Sequence, residues 1–449
     1  MKQLQNFLTI TFFSAASLMS VHMQAQDTTN SRRLTLQQAI DLSIKNSNQL
    51  KASQARVDEA IAVLGQAKDN KLPTASVSGA YLRFNNPNIS LKTKAFGSSD
   101  SSGGGSSSPS VNQAVYGMAN VALPIYAGGK IRYGIESAKY LQEAVMMDAQ
   151  NDKEGTILNT IKAYINLYKA DVTVKVVKEN LQQSQHRDSV FSRLEQTGLL
   201  ARNDLLKAQL QTSTIELSVL VAENNRDIAN VNMDLMLGLP EQTVLLTDSS
   251  TFEKNINLKN IDDYEQLALQ NRKDILALSF RKKAATTGIE AAKADLSPSI
   301  AVTGGYIAAD IPHFLSITNA VNIGVGVKYN IGSLWQTKNK IMQAKARERE
   351  VVANQAQLND AVRLEVNRNY ENYLLSRKKI DVYQRAVVQA TENYRITKNK
   401  YDNSLVNTSD LLDANVALLQ AKINLAVAKA DVLQAYDILL ETAGLISAQ

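Results

Sequence analysis

Pro298-Ser-Ile-Ala-Val-Thr-Gly-Gly-Tyr306 is the stretch on which the reading of the chain turns. Ile300, Val302, Gly304 and Tyr306 fall on one face of an extended strand, and Ser299, Thr303 and Gly305 on the other, because strand side chains alternate with period two. The same proline-led strand stands 225 positions earlier as Pro73-Thr-Ala-Ser-Val-Ser-Gly-Ala-Tyr81. There Ala75, Val77, Gly79 and Tyr81 oppose Thr74, Ser76 and Ser78. Asn46 pairs with Asn271 at the same offset. Further along, an offset of 206 pairs Tyr164 with Tyr370, Asp204 with Asp410, and Gly238 with Gly444. Between the two sets the first half carries Ser98 to Ser110, almost all Ser and Gly, the composition of a flexible surface loop. So long a period, used only twice, is a duplication rather than a solenoid.

Each half holds a second strand. Val321, Ile323, Val325, Val327, Tyr329 and Ile331 alternate with Asn322, Gly324, Gly326, Lys328 and Asn330, and a weaker alternation runs from Val115 to Leu123. Four strands of ~9–11 residues, with tyrosines near their ends, suit a tilted crossing of a bilayer. Soluble hairpins on a core would read alike strand by strand.

The rest of the chain reads as helix. All seven prolines fall outside residues 125–239 and 313–449, which are rich in Ala, Leu, Gln, Lys and Glu. An uninterrupted helix from Ile131 to Glu195 would be ~95 Å long, and Lys338 to Lys400 matches it. The last helix carries one heptad seam through Leu411, Ala414, Leu418, Ala421, Leu425, Ala428, Val432, Ala435 and Leu439. A second runs beside it through Leu412, Val416, Leu419, Ile423, Ala426, Ala430 and Leu433. Two adjacent seams predict neighbours on both sides.

The amino terminus has the form of a secretory signal: Lys2, an apolar run from Leu8 to Val21, and Ala25 before the cut. Beyond it the sequence offers no evident membrane helix. The expected organisation is a leader over 1–25 and a first repeat over 26–240, with a helix, a strand hairpin 74–123 and a long helical hairpin 131–237. A connecting segment 241–262 then leads to a second repeat over 263–449, with a helix, a strand hairpin 299–331 and a helical hairpin 338–442. Four strands cannot close a membrane barrel, since closed barrels need about eight, and open edges in lipid cost several kcal/mol per unpaired group. Copies must share the barrel. Two copies give eight strands and a filled interior; three give twelve and a lumen.

Leu123-Pro-Ile-Tyr-Ala-Gly-Gly-Lys130 resembles the strand-to-helix junction of TolC-like outer-membrane efflux proteins. Lys400-Tyr-Asp-Asn-Ser-Leu-Val-Asn-Thr-Ser-Asp-Leu-Leu-Asp-Ala414 resembles that family's tip turn, and Arg193 to Ala208 repeats it in the first half. The resemblance implies a mixed, mostly helical fold. It implies a homotrimer with a twelve-stranded membrane barrel, four strands per chain, continued by a long helical barrel in the periplasm of a Gram-negative type envelope. It further implies a passive outer-membrane exit duct, for efflux or type I secretion, working with a periplasmic adaptor and an inner-membrane transporter. By position, Asp410 and Asp413 match ring aspartates at the closed end of the tunnel, Asp204 a gate-linking aspartate, and Tyr401 a gate tyrosine. Val406 stands where the family has a gate arginine.

Asp410 and Asp413 also lie in the first turn of a helix, capped by Thr408 or Ser409, where the dipole favours carboxylates by ~0.3–1 kcal/mol. Both readings stand at this point. Other chemistry finds little footing. The chain has no cysteine and three histidines, His22, His186 and His313, none with a partner at ligand spacing, so no metal or cofactor is expected. Gly103-Gly-Gly105 lacks the Lys-Ser/Thr of a phosphate loop. A net charge of +6 is mild, and Arg377-Lys-Lys379 reads as a solvated helix face rather than a nucleic-acid patch. No catalytic constellation is expected. A periplasmic adaptor or structural coiled-coil protein would have one helical hairpin between small β-domains, and an exported helical enzyme would need a site.

Overall fold

The computed structural model describes residues 31–85, 111–248, 258–312 and 315–446. The expected leader, the Ser98–Ser110 run and His313 lie outside them. The elements are β1 (Ser31–Leu34), α1 (Leu36–Asn46), α2 (Asn48–Asp69), β2 (Thr74–Arg83), β3 (Gln113–Ala127), α3 (Lys130–Gln196), α4 (Arg202–Leu237) and β4 (Val244–Thr247). The second half follows as α5 (Ile261–Asn271), α6 (Lys273–Lys293), β5 (Ser299–Ile311), β6 (Leu315–Lys328), α7 (Ser333–Asp402) and α8 (Thr408–Thr442). With 67 and 70 residues, α3 and α7 are each roughly 100 Å long at 1.5 Å per residue.

Several boundaries differ from the periodicity reading. Helix α7 begins at Ser333, not Lys338, because Asn330 turns the chain directly after β6: its side chain accepts from Gly332 N at 3.1 Å and its carbonyl from Ser333 N at 2.9 Å. Strand β3 runs past Leu123 to Ala127, since a bulge between Pro124 and Tyr126 absorbs the proline. Segment 241–262 is more than a connector. It contains β4, which pairs in parallel with β1, two four-residue strands too short to register as alternation. Strands β3, β5 and β6 have 15, 13 and 14 residues, longer than the ~9–11 read from alternation, because the ladder continues past the alternating stretches.

β2, β3, β5 and β6 form one antiparallel sheet in that order. The register carries the alternation across the duplication. Ala75, Val121, Gly304 and Ile323 line up on one face, as do Val77, Ala119, Tyr306 and Val321. Ser76, Asn120, Gly305 and Asn322 line up on the other. Nothing in the described chain covers the apolar face: Val77 is 87% exposed and Ile323 86%.

Below the sheet the helices pack side by side. Near the strands the neighbours run α2, α3, α6, α7; towards the far end they run α4, α3, α8, α7. Helix α8 has neighbours on both sides, burying Leu411, Ala414, Leu418, Ala421 and Ala428 of one expected seam and Leu412, Ala430 and Leu433 of the other. It is also long and apolar enough to cross a membrane, contrary to the expectation that no such segment follows the leader; its apolarity serves contacts with α3 and α7 instead.

Midway down, two equivalent cores hold the halves. Leu34, Ala39, Tyr164, Met233, Leu237 and Leu245 form one; Tyr264, Ala268, Val362, Val366, Leu439 and Ala443 form the other. Tyr164 donates to Leu34 O at 2.9 Å and accepts from Asp248 N at 2.8 Å, tying α3 to both short strands. The glycines paired by the duplication close the two helical hairpins. Gly238, at φ +66, sits where a Cβ would come 3.0 Å from Asn46, and Gly444, at φ +69, where one would come 3.0 Å from Asn271. Asn46 Nδ2 donates to Leu237 O at 2.6 Å. In the same core Asp234 is fully buried with Oδ1 unpartnered, and burial pushes its carboxyl up to about 6 against a weaker pull from Arg226.

Two outcomes follow for the purified protein. Gly238→Ala and Gly444→Ala each lower thermal stability by roughly 1–3 kcal/mol, the cost of a left-handed non-glycine residue plus the asparagine contact. Asp234→Asn raises Tm by a few degrees at neutral pH. Because the folded pKa exceeds the unfolded one, the native state takes up the extra proton between about pH 6 and 4, so stability falls as pH rises through that window. The advantage of the Asp234→Asn variant therefore vanishes below that window, and a Tm difference independent of pH would refute the account.

Candidate gate at the far tip

Each helical hairpin ends in the same turn. Leu199 N donates to Leu194 O at 2.8 Å and Leu405 N to Lys400 O at 2.8 Å, the 6→1 bond that closes a helix end. Gly198 and Ser404 occupy the left-handed position, at φ +74 and φ +58. Both turns thrust a leucine into solvent, Leu199 at 76% and Leu405 at 72% exposure.

The following helices start differently. Asn407 caps α8, accepting from Asp410 N at 3.0 Å, while Asp410 Oδ2 accepts from Asn407 N at 3.3 Å. This reciprocal box corrects the expected cap: Thr408 and Ser409 are the first helical residues, and asparagine, which caps at least as well as serine, takes the position one earlier. The first half has Ala201 there, with no side-chain cap, so Asp204 turns to Lys207 at 3.7 Å. Asp204 and Asp410 nevertheless hold the same third position of their helices. Asp410 and Asp413 are exposed.

Tyr401 lies inward of them. Its ring stacks on Phe191 at 5.5 Å between centroids, and its hydroxyl accepts from buried Thr408 at 3.4 Å. Burial pushes the phenol up, and the negative charges of Asp204 and Asp402 add to that against the Thr408 bond and the Arg187 charge. The structure thus brings Tyr401 and Asp204 into one electrostatic neighbourhood and leaves Asp410 and Asp413 outside it. Val406 is half-buried and makes no polar link.

Arg187 escaped the sequence reading. It lines a cavity of about 390 Å³ with Phe191, Tyr394 and Tyr401, donates to Ser184, and keeps its Nε unpartnered. Burial pulls its guanidinium below the usual arginine range, against the charge of Asp188. The one available signal was spacing: Arg187 and Phe191, four apart, share a face of α3. The cavity is walled by rings together with Arg187, Lys398 and Asp402, the last two ion-paired at 3.1 Å. Among the described residues no group of three or more His, Asp or Glu is gathered for a metal.

A family model described as outer membrane efflux protein matches residues 39–239 and 265–445. The chain is 26% identical over 314 residues to the outer membrane protein TolC of Vibrio cholerae, covering 66% of this chain and 69% of that protein. It is 22% identical over 400 residues to the outer membrane efflux protein BepC of Brucella suis, covering 85% of this chain and 86% of that one. Among solved structures, the outer membrane protein VceC of Vibrio cholerae superposes with a TM-score of 0.73 at 17% identity, over 91% of this chain and 96% of that chain. Matched once on each of its two structural halves, the chain belongs to the outer membrane efflux protein family.

Proposed function

We propose that three copies of this outer-membrane efflux subunit close head to tail into a passive duct, a twelve-stranded barrel continued by a tube of helices. The observation that carries this reading is that sheet and helical layer are both open at both edges. β2 and β6 lack outer partners within the described chain, and so do the flanks of α4 and α7. The open flank of α4 presents Leu210, Leu217, Ile228 and Leu235, each at least 60% exposed; that of α7 presents Leu364, Leu375 and Val388. A second copy joining α7 to α4 and β6 to β2 buries both rows and pairs both edges at once. Such heterologous contacts make a ring when the rotation closes. Two copies would give an eight-stranded barrel filled by side chains, whereas three leave a passage.

At the far end Leu199 and Leu405 stand exposed on equivalent turns, which suits a periplasmic adaptor that bridges the tip to an inner-membrane transporter. Threefold repetition would also gather Asp410 and Asp413 around one axis. A ring of carboxylates attracts cations, which suits a selective constriction. Asp204 and Tyr401 would then steady the tip from within the wall, through the Phe191 stack, as positioning residues. The chain's own chemistry is that of a wall, with no group poised for bond making among the described residues.

Leu210→Glu with Leu217→Glu places carboxylates on the open flank of α4 and should convert the purified oligomer into monomers by light scattering in detergent; an intact trimer would refute the assembly. Asp410→Ala with Asp413→Ala should raise single-channel conductance or relieve block by polyvalent cations in planar bilayers. Unchanged recordings would count against the ring.

A further inference from the structure

The membrane-facing end of the helical layer holds a basic groove that the duct itself does not require. It lies between the end of α2 and the start of α3, encloses about 570 Å³, and is lined by Lys68, Lys71, Arg132 and Lys139, with Glu136 the one carboxylate. None of the four cations forms an ion pair among the described residues. Arg132 has only the ring of Tyr133 at 6.0 Å, and Glu136 accepts a long bond from Tyr140 at 3.4 Å. Like charges held together without counter-charges repel one another, so such a groove gains from an anion.

Its place limits which anion. Lys71 comes just before β2 begins and Arg132 just after β3 ends. A headgroup layer is ~5–8 Å deep beside the hydrocarbon core. Lys68 and Lys71 stand six and three residues before β2 and Arg132 five residues after β3, so with the strands as the spanning part all three lie beside that layer. Lys139 is ~14 Å along α3 from its start. Side chains of a helix lean towards its amino end, however, and α3 starts at the membrane, so the four-carbon stem of Lys139 reaches back up. The same junction carries an exposed apolar belt of Ile125, Tyr126 and Trp335, the amphipathic residues of a membrane interface. Ile135 and the ring of Tyr140, backed by the buried Leu64, give the groove itself an apolar wall, which a soluble anion would not use.

We propose that this groove seats the phosphate headgroup of an anionic phospholipid from the periplasmic leaflet of the outer membrane. The proposal rests on the reading of the four strands as the membrane-spanning part. The lipid is held by the four cations and lays its glycerol and first methylenes against Ile135 and the ring of Tyr140. Cations near a membrane surface act additively on anionic lipid, so removing all four should abolish the selectivity.

The test is native mass spectrometry of the oligomer released from a neutral detergent and titrated with dioleoyl-phosphatidylglycerol or dioleoyl-phosphatidylcholine. The wild type should retain phosphatidylglycerol at least about tenfold better, the factor that one or two such cations supply, and the combined variant Lys68→Gln, Lys71→Gln, Arg132→Gln and Lys139→Gln should retain both equally. Glu136→Gln, which removes the one carboxylate, should strengthen the preference, and this holds even if the fourfold variant fails to assemble. Arg377→Gln with Lys378→Gln and Lys379→Gln, far from the groove, should change nothing. Equal retention by the wild type, or an undiminished preference in an assembled fourfold variant, overturns the proposal. Displacement of the lipid by inorganic phosphate alone overturns it in favour of a soluble anion. A shifted anion-to-cation permeability with unchanged lipid retention overturns it in favour of a groove facing the passage. Wild-type protein absent from outer-membrane fractions would instead bring down the membrane reading beneath it.

Discussion

Lipid offers no hydrogen-bond partner to a peptide group, and every other feature of this chain answers to that constraint. A sheet of four strands leaves two edges whose N–H and C=O groups would face hydrocarbon unpaired, at several kcal/mol each. Its apolar face, with Val77 and Ile323 almost wholly exposed, is equally unsuited to water. The subunit is therefore incomplete in either solvent. Its helical layer is incomplete in the same sense, with leucines on the open flank of α4 and valine and leucine on that of α7. Sheet and layer end on corresponding sides, so one rotation can satisfy both.

The duplication explains how a single chain builds such a wall. Each half supplies one strand hairpin and one helical hairpin, and the joints recur: Asn46 against Gly238 and Asn271 against Gly444, Tyr164 in one central core and Tyr370 beside the other. Between the halves, below the sheet, Asp295 accepts from Lys130 at 2.7 Å and from Lys340 at 2.8 Å, pinning the starts of α3 and α7 to one carboxylate. The halves diverge at the far ends of their helical hairpins. At the tip, one turn uses Gly198 and the other Ser404, one helix starts bare at Ala201 and the other in a capping box at Asn407. Equivalent positions carrying different chemistry give the tube two kinds of hairpin end, alternating around its axis in the proposed trimer.

The Arg187 cavity gathers rings and charges near the tip, where Val406 offers no polar group. A guanidinium drawn out of water, two tyrosines and a phenylalanine make a contact region whose strength comes from stacking and burial, with one hydroxyl bond, Thr408 to Tyr401, for direction.

Alternation and proline placement sufficed to read four strands and two very long helical hairpins from the amino acids, because period two and period 3.6 are local properties that survive any packing. Proline-led strands 225 residues apart likewise disclosed the duplication, and small residues beside leucines foretold that α8 has neighbours on two sides. What local pattern could not supply were contacts between distant parts. The pairing of β1 with β4 joins segments about 210 residues apart, each too short to show a period. Arg187 became notable only when folding carried it under Tyr401, and the four cations of the membrane-proximal groove only when α2 and α3 came side by side. The cap at Asn407 depended on where the turn released the chain, a matter of backbone geometry. Side-chain identity sets what each residue prefers; which preferences meet is set by the packing of helices that begin and end far apart.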